Sequence, residues 1–298
     1  MKAFKLHKGF SEIPILLTKE NYEEATQGDD NYTKIIGTGK NTAKRYLAIC
    51  PSCDNPIQIV GLYIKDNTRF PYGKHYPNDF AYAEYNHQNY LYCPLASHSF
   101  GQPEKRLKKD FSEFEKTIYN LVRENFDLAL YIAERKTGIR FSKNMRKSIA
   151  EEYAISKGYL YYHANAYNIP WMLLYFHSAI PCFGLTLRRE SELWNFLKTR
   201  PSVQMEPALK EGYDIVRNKP GKFVEEKICF ILHDLKESGE SLTLSVHLPI
   251  TEERHKAKVL KKIRLEINPI VFPVLVKNRR YPQNREEKDF INKIMPKL

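Results

Sequence analysis

The chain has 298 residues, of which 42% are hydrophobic and 13% aromatic, and its formal net charge is +12. This length and apolar content allow a sizeable core and exclude a disordered or collagen-like chain. Its five cysteines do not suit a disulfide framework, and no hydrophobic run has signal-peptide or membrane-spanning length, so we expect a soluble, cytoplasmic protein without membrane contact.

The N-terminal part of the chain is organised around two cysteines. Cys50-Pro-Ser-Cys53 lies between two runs typical of β-strands, residues 44–49 and 56–64. Two cysteines separated by two residues, at the tip of a strand-turn-strand element, can place both thiolates on one tetrahedral ion. The spacing therefore predicts a metal site in a small β-module.

Further along the chain, a third thiolate and an imidazole complete a set of candidate Zn²⁺ ligands: Cys50, Cys53, Cys93 and His98. Because the spacings are permissive, His75 and His87 are alternatives to His98 for the fourth position. Four protein ligands leave no open coordination position. Such a site would stabilise the module and would not activate water.

The turn formed by Cys50 and Cys53 resembles the knuckle of zinc-ribbon domains. The resemblance covers the residues around these two cysteines and the short segment at Cys93, and it departs from the usual pattern by ending in Cys-x4-His instead of Cys-x2-Cys. It implies a small metal-supported β-module, often an adaptor to nucleic acid or protein.

The segment between the cysteine sites is rich in tyrosine. Tyrosine rings can pack around a small metal site while their hydroxyls reach water. Interleaved with Arg69, Lys74 and His75, they could instead be platforms on which unstacked bases lie. The sequence leaves both interpretations open.

A nuclease site is an alternative for the same segment. His75 and Asp79 place an imidazole and a carboxylate close together, as a metal-dependent nuclease requires. No second acidic motif at helical spacing accompanies them, so the sequence does not decide whether the protein is an enzyme.

The central region has the apolar periodicity of amphipathic helices. Asp110 is the predicted N-cap of a long helix that ends near Gly138, and Ser142 is the predicted N-cap of a second helix. Pro170 suits the first turn of a buried helix. Another amphipathic helix is predicted from about residue 189 to residue 199.

The C-terminal region has the pattern of β-strands. Residues 227–233 are continuously apolar and residues 242–248 alternate, with a turn at Ser238-Gly239, so we predict an antiparallel hairpin. The apolar run at 270–276 contains Pro273, which indicates an edge strand or a bulge.

Most of the positive charge lies at the end of the chain. Residues 254–298 contain 13 Lys and Arg against 4 Asp and Glu, an excess of 9 out of the total of 12. Concentrated positive charge attracts polyanions, although a solubility surface or contact with an anionic membrane is an alternative. The predicted nucleic-acid-binding residues are Arg254, Lys258, Lys261, Lys262, Arg279, Arg280 and Arg285.

Together these patterns predict an α+β protein in three parts. Residues 1–104 form a zinc-ribbon-like module, residues 105–206 a helical layer, and residues 207–298 a basic region of antiparallel β-structure. The expected function is binding of DNA or RNA, supported by a structural Zn²⁺. A mobile-element or defence complex is the context we consider for it. The alternatives are the nuclease described above and a zinc-containing protein–protein adaptor.

Overall fold

The structure is a computed structural model that describes residues 1–9, 12–37, 42–63, 70–91, 93, 95–96, 107–108, 111–236, 239–250, 256–279 and 283–298. Its helices and antiparallel sheets confirm the predicted α+β class. Among these residues, the buried hydrophobic side chains form two clusters. One lies around the cysteines of the N-terminal part, the other joins the central helices to the C-terminal strands, and Leu95 packs against both.

The N-terminal part is a four-stranded antiparallel sheet with short helices and a two-stranded ribbon beside it. The strands of the sheet lie in the order β3-β4-β5-β6, so the predicted strand-turn-strand element is the β4–β5 hairpin. Its elements are β1 (Ala3–Phe4), β2 (Ile15–Leu16), α1 (Lys19–Thr26), β3 (Thr33–Ile36), β4 (Ala43–Ile49), β5 (Pro56–Val60), β6 (Tyr72–His75) and α2 (His87–Leu91).

The remaining chain contains helices packed against two further four-stranded sheets. Its elements are α3 (Glu113–Thr137), β7 (Ile139–Arg140), α4 (Lys143–Ile155), α5 (Ile169–Tyr175), β8 (Ile180–Pro181), β9 (Thr186–Arg188), α6 (Glu192–Lys198), β10 (Val203–Pro207), β11 (Tyr213–Asn218), β12 (Lys227–Lys236), β13 (Gly239–Leu248), β14 (Lys258–Ile267), α7 (Val271–Lys277) and α8 (Arg285–Ile294).

The helices begin and end at capping residues, and one N-cap is not the residue that the sequence predicted. The long helix α3 has Ser112 as its N-cap, in a capping box with Glu115, whereas the predicted cap Asp110 lies outside the described residues. Both Asp110 and Ser112 are followed three residues later by a glutamate, so the sequence offered two caps. Gly138 ends α3 with φ 75°, and Ser142 caps α4, as predicted.

The sheets of the second cluster include strands that periodicity did not predict. One sheet has the order β10-β11-β9-β7, and the other has the order β14-β13-β12-β8. The predicted hairpin is β12–β13, which confirms its two strands and their antiparallel pairing. The expected boundary near residue 206 falls within β10, in a sheet that draws strands from both sides of it.

One C-terminal element differs from its predicted form. Lys258, Lys261 and Lys262 of the basic region lie on strand β14. The run containing Pro273 is helix α7 and not an edge strand. Pro273 lies in the first turn of α7, where backbone N–H groups have no intrahelical acceptor, so the missing N–H costs little.

Arg279 is held by the long helix, although the sequence assigns it to nucleic-acid binding. Its guanidinium makes two hydrogen bonds to the Asp127 carboxylate, at 3.1 and 2.6 Å. Both side chains are about four-fifths buried, with 18% and 21% exposure. The pair fastens the end of α7 to α3.

We therefore expect Arg279→Gln to lower the free energy of unfolding by about 1–3 kcal/mol, because it leaves the partly buried Asp127 carboxylate without its partner. Urea unfolding measures the change. The control is Arg285→Gln, at the exposed start of α8, which should stay within about 0.5 kcal/mol of the wild type. Equal effects of the two substitutions would contradict a structural role for Arg279.

Candidate metal centre

Four side chains from three parts of the N-terminal module meet at one point. Cys50 and Cys53 come from the β4–β5 turn, His75 ends strand β6, and Cys93 follows α2. Their ligand atoms all lie within 4.8 Å of one another, and the three cysteines are buried. This cluster could hold a metal ion.

The distances in the cluster agree with tetrahedral coordination. The Sγ atoms of Cys50 and Cys93 are 3.7 Å apart, and Cys53 Sγ lies 3.3 Å from His75 Nε2. Around a tetrahedral Zn²⁺, neighbouring sulfur ligands are about 3.8 Å apart, and a sulfur and a nitrogen ligand are about 3.6 Å apart. The side chains therefore need to move little to surround an ion.

The backbone of the β4–β5 turn holds the first two cysteines in place. The Cys50 N–H donates to the Asn55 carbonyl at 2.8 Å, and the Asp54 N–H donates to the Cys50 carbonyl at 3.2 Å. Asp54 has a left-handed φ of 57°, which aspartate tolerates better than most residues. Lys5 forms an ion pair with the Asp54 carboxylate, so the N-terminal segment also anchors this turn.

A buried asparagine supports the cluster from outside the ligand set. The Asn55 side chain, 1% exposed, donates from Nδ2 to Cys53 Sγ at 3.3 Å. Its Oδ1 accepts a hydrogen bond from the Asn86 N–H at 2.6 Å, and Asn89 donates to the Cys53 carbonyl at 3.3 Å. Hydrogen bonds of this kind orient ligands, and they connect the turn to the segment that leads to Cys93.

Burial sets the electrostatics of the three thiols. Loss of water raises the pKa of the Cys53 and Cys93 thiols well above its usual value. At Cys50 burial acts in the same direction, but hydrogen bonds from Cys53 and Cys93 and the His75 charge lower its pKa. Protein groups alone thus favour one thiolate in the cluster. A divalent cation would stabilise all three.

The fourth position of the cluster is taken by one of the alternative histidines. His75 completes it among the described residues, whereas the predicted ligand His98 lies outside them. His87 lies 3.3 Å from the Tyr85 hydroxyl. The pairing of β5 with β6 puts His75 opposite Ile57, beside the cysteine turn, and a single sequence does not reveal this register.

The two residues of the alternative nuclease site, His75 and Asp79, make other contacts within the N-terminal module. His75 Nε2 faces Cys53 Sγ, as described above. Asp79 Oδ1 accepts a hydrogen bond from the Tyr85 N–H at 2.6 Å, which is a turn-stabilising contact. The geometry therefore favours a structural use of both residues.

The predicted nucleic-acid-binding residues are not equally available. Lys258, Lys262 and Arg285 are exposed. By contrast, Lys261 pairs with Glu192 at 2.8 Å, and Arg279 pairs with Asp127. The other two predicted residues, Arg254 and Arg280, lie outside the described part of the chain.

Comparison with known proteins adds no relative: no protein-family model, curated protein or solved structure matches this chain. Within the described ranges, no helix is long and apolar enough to cross a membrane.

We expect the purified protein to contain about one equivalent of metal, and His75→Asn and Cys50→Ser to lose most of it, because each removes one of four ligands. Elemental analysis measures the content. Cys229→Ser, a thiol outside the cluster, is the matched control. The variant His98→Asn decides between the two histidines. If it keeps its full metal content, His75 is supported as the fourth ligand. If it loses the metal while His75→Asn still binds it, the result would contradict the cluster as the metal site.

Lowering the pH should release the metal. Burial raises the pKa of Cys53 and Cys93, so the free cluster carries these protons at neutral pH and metal binding must displace them. The apparent affinity should fall about tenfold per pH unit for each proton displaced. Competition with a chromophoric chelator between about pH 6 and about pH 8 measures this, and a constant affinity would contradict thiolate ligation.

Proposed function

We propose that the protein binds single-stranded DNA or RNA on the outer face of the N-terminal sheet, and that a structural Zn²⁺ in the cysteine–histidine cluster holds this sheet in shape. The observation that carries the proposal is the alternation of side chains along β6. One side of the strand supplies a ligand of the cluster, and the other side carries exposed aromatic and basic groups.

The alternation follows from the geometry of a strand, in which successive side chains point to opposite faces. His75 faces the cluster, on the side where Ile57 and Ile59 are buried. Tyr72 and Lys74 therefore face the opposite side, and both are exposed. Phe70, just before the strand and in the same phase, is 83% exposed.

Further cations lie on the same outer face. Lys34 in β3 and Arg45 in β4 are register partners, and both approach the Tyr76 ring, at 5.9 and 5.5 Å from its centroid. We call Lys34, Arg45, Phe70, Tyr72 and Lys74 the basic-aromatic face. Exposed rings among cations suit single-stranded nucleic acid, because bases stack on the rings while phosphates meet the positive charges.

The excess of positive charge in the C-terminal region supplies a second set of contacts to phosphate groups. Lys258 and Lys262 are exposed on β14, which lies at the edge of its sheet, and Arg285 is exposed at the start of α8. Lysines and arginines of this kind attract the phosphate backbone and do not read bases. They would raise the affinity without setting which bases are preferred.

Zinc is the metal that suits this ligand set best. Three thiolates and one imidazole in tetrahedral positions are soft ligands typical of closed structural Zn²⁺ sites. A closed site leaves no coordination position for a substrate, so the role proposed for the ion is to fold the module. In support of this, the ligand on β6 is part of the strand that carries Tyr72 and Lys74.

The proposal predicts that single-stranded DNA or RNA binds with an affinity that falls linearly with salt on a log–log plot. Tyr72→Ala and Phe70→Ala should each weaken binding roughly 5- to 100-fold through lost stacking. Fluorescence anisotropy with labelled oligonucleotides measures both effects. Phe223→Ala removes an equally exposed phenylalanine elsewhere, 80% exposed, and should change nothing.

Lys74→Gln separates charge from stacking, because it should reduce the salt slope by about 0.7 while leaving the aromatic contacts in place. Absence of binding at low salt would contradict the proposal. Equal losses in the Phe70, Tyr72 and Phe223 variants would contradict the assignment to this face.

A further inference from the structure

The outermost strand of the C-terminal sheet has an unpaired edge. Strand β14 is the last strand in the order β14-β13-β12-β8, so it pairs with β13 on one side only. In the described part of the chain, no backbone group of residues 261–267 that points away from β13 has a hydrogen-bond partner. Such a row of free donors and acceptors is a template on which another extended chain can pair.

The regular part of this edge is residues 261–267. Over that section β13 and β14 pair without interruption, whereas Leu260 is a bulge between Val259 and Lys261. A bulge bends a strand and interrupts its ladder of hydrogen bonds, so regular pairing on the outer edge begins at Lys261. The section that remains has the length of an ordinary strand.

The two faces of this section differ in chemistry. Ile263 and Leu265 are buried against the core, each 6% exposed. Lys262, Arg264 and Glu266 alternate with them and are exposed, and Arg264 has only a distant ion pair with a described residue, at 3.9 Å. Because side chains alternate along a strand, a strand added to this edge would also have one face beside the charges and one beside the core.

A cavity of about 310 Å³ lies at the same edge. Residues 263–266 all line it, although their side chains alternate between the two faces of the sheet. Only the edge of a strand borders both faces, and β13 fills the other edge, so the cavity lies along the outer edge of β14. Leu193 of α6 and Thr137 at the end of α3 also line it. The cavity can therefore accept an apolar side chain of an added strand.

The charge of the edge determines which strand can pair with it. Lys261, Lys262 and Arg264 stand against one acidic residue, Glu266, in this section. Two copies of β14 side by side would bring like charges together, and lysines on an edge strand commonly prevent such pairing. Acidic side chains two positions apart on a partner strand would instead lie beside Lys262 and Arg264. Charge complementarity thus favours an acidic partner over a second copy of the chain.

We propose that β14 binds an extended peptide in which acidic and apolar residues alternate, and that the peptide adds a strand to the sheet. Its main chain pairs with residues 261–267, its acidic side chains meet Lys262 and Arg264, and an apolar side chain enters the cavity beside Leu193. Strand addition takes its affinity from main-chain hydrogen bonds and its specificity from side-chain pockets. Lys262 is also a proposed phosphate contact, but no residue of the basic-aromatic face takes part.

The test is fluorescence anisotropy of the full chain with a labelled peptide of about eight residues in which glutamate and valine alternate. This peptide should bind, whereas the same peptide methylated on every backbone nitrogen should not, because it has no N–H group to donate. A lysine–valine peptide should bind roughly tenfold more weakly or worse. In hydrogen exchange, the bound peptide should slow the amides of residues 261–267 that point away from β13.

Reversal of the charge on the strand tests the specificity. Lys262→Glu with Arg264→Glu changes two exposed side chains, and it should weaken the glutamate–valine peptide roughly 10- to 100-fold while strengthening the lysine–valine peptide. Lys222→Glu, at an exposed lysine outside β14, is the matched control and should change neither affinity. If the double variant does not fold, the methylated and lysine–valine peptides still decide the question with the wild-type chain.

Failure of the glutamate–valine peptide to bind would overturn the proposal, as would binding that survives methylation or leaves hydrogen exchange in β14 unchanged. Slow exchange of the outward amides in the free chain would show that another segment or a second copy already covers the edge, and it would also overturn the proposal. The titrations contain no nucleic acid, so failure of the function proposed above would not affect their result.

Discussion

The burial of three thiols beside one imidazole is the constraint on which the N-terminal module depends. Cys50, Cys53 and Cys93 are each at most 4% exposed, and they belong to the hydrophobic cluster of the module. In such surroundings the thiolates of Cys53 and Cys93 are unfavourable unless a cation stabilises them. Structural Zn²⁺ sites contribute about 10–16 kcal/mol of apparent binding free energy in small domains, which exceeds the stability that a small core supplies. The cluster thus links the metal to the fold.

The position of the cluster also links the metal to the proposed nucleic-acid-binding face. Strand β6 carries His75 on one side and Tyr72 and Lys74 on the other, so an ion that fixes His75 also fixes the outer face. A closed metal site can in this way support binding elsewhere without contacting a ligand.

Structural features that depend on residues close together along the chain were predictable from the sequence. The cysteine turn, the end of α3 at Gly138, the N-cap Ser142 and the β12–β13 hairpin are all of this kind. Features that depend on distant pairing were not predictable. His75 joins the cluster through the register of β5 with β6, and Arg279 meets Asp127 through tertiary packing.

Other differences have local causes that the sequence left ambiguous. Pro273 fits the first turn of a helix as well as an edge strand, and the two-residue strands β7 and β8 are too short to show a period. The charge excess of the tail was visible in the sequence, but its partners were not. Arg279 and Lys261 are held by Asp127 and Glu192, which lie far away along the chain.

The most direct test of this account is X-ray absorption spectroscopy at the zinc edge of the purified protein. Coordination by the cluster predicts three sulfur atoms at about 2.3 Å and one nitrogen at about 2.0 Å, with no oxygen ligand. His75→Asn should change this shell, whereas His98→Asn should leave it intact. A shell dominated by oxygen and nitrogen, or a wild-type spectrum in the His75 variant, would contradict metal ligation by the three cysteines and His75.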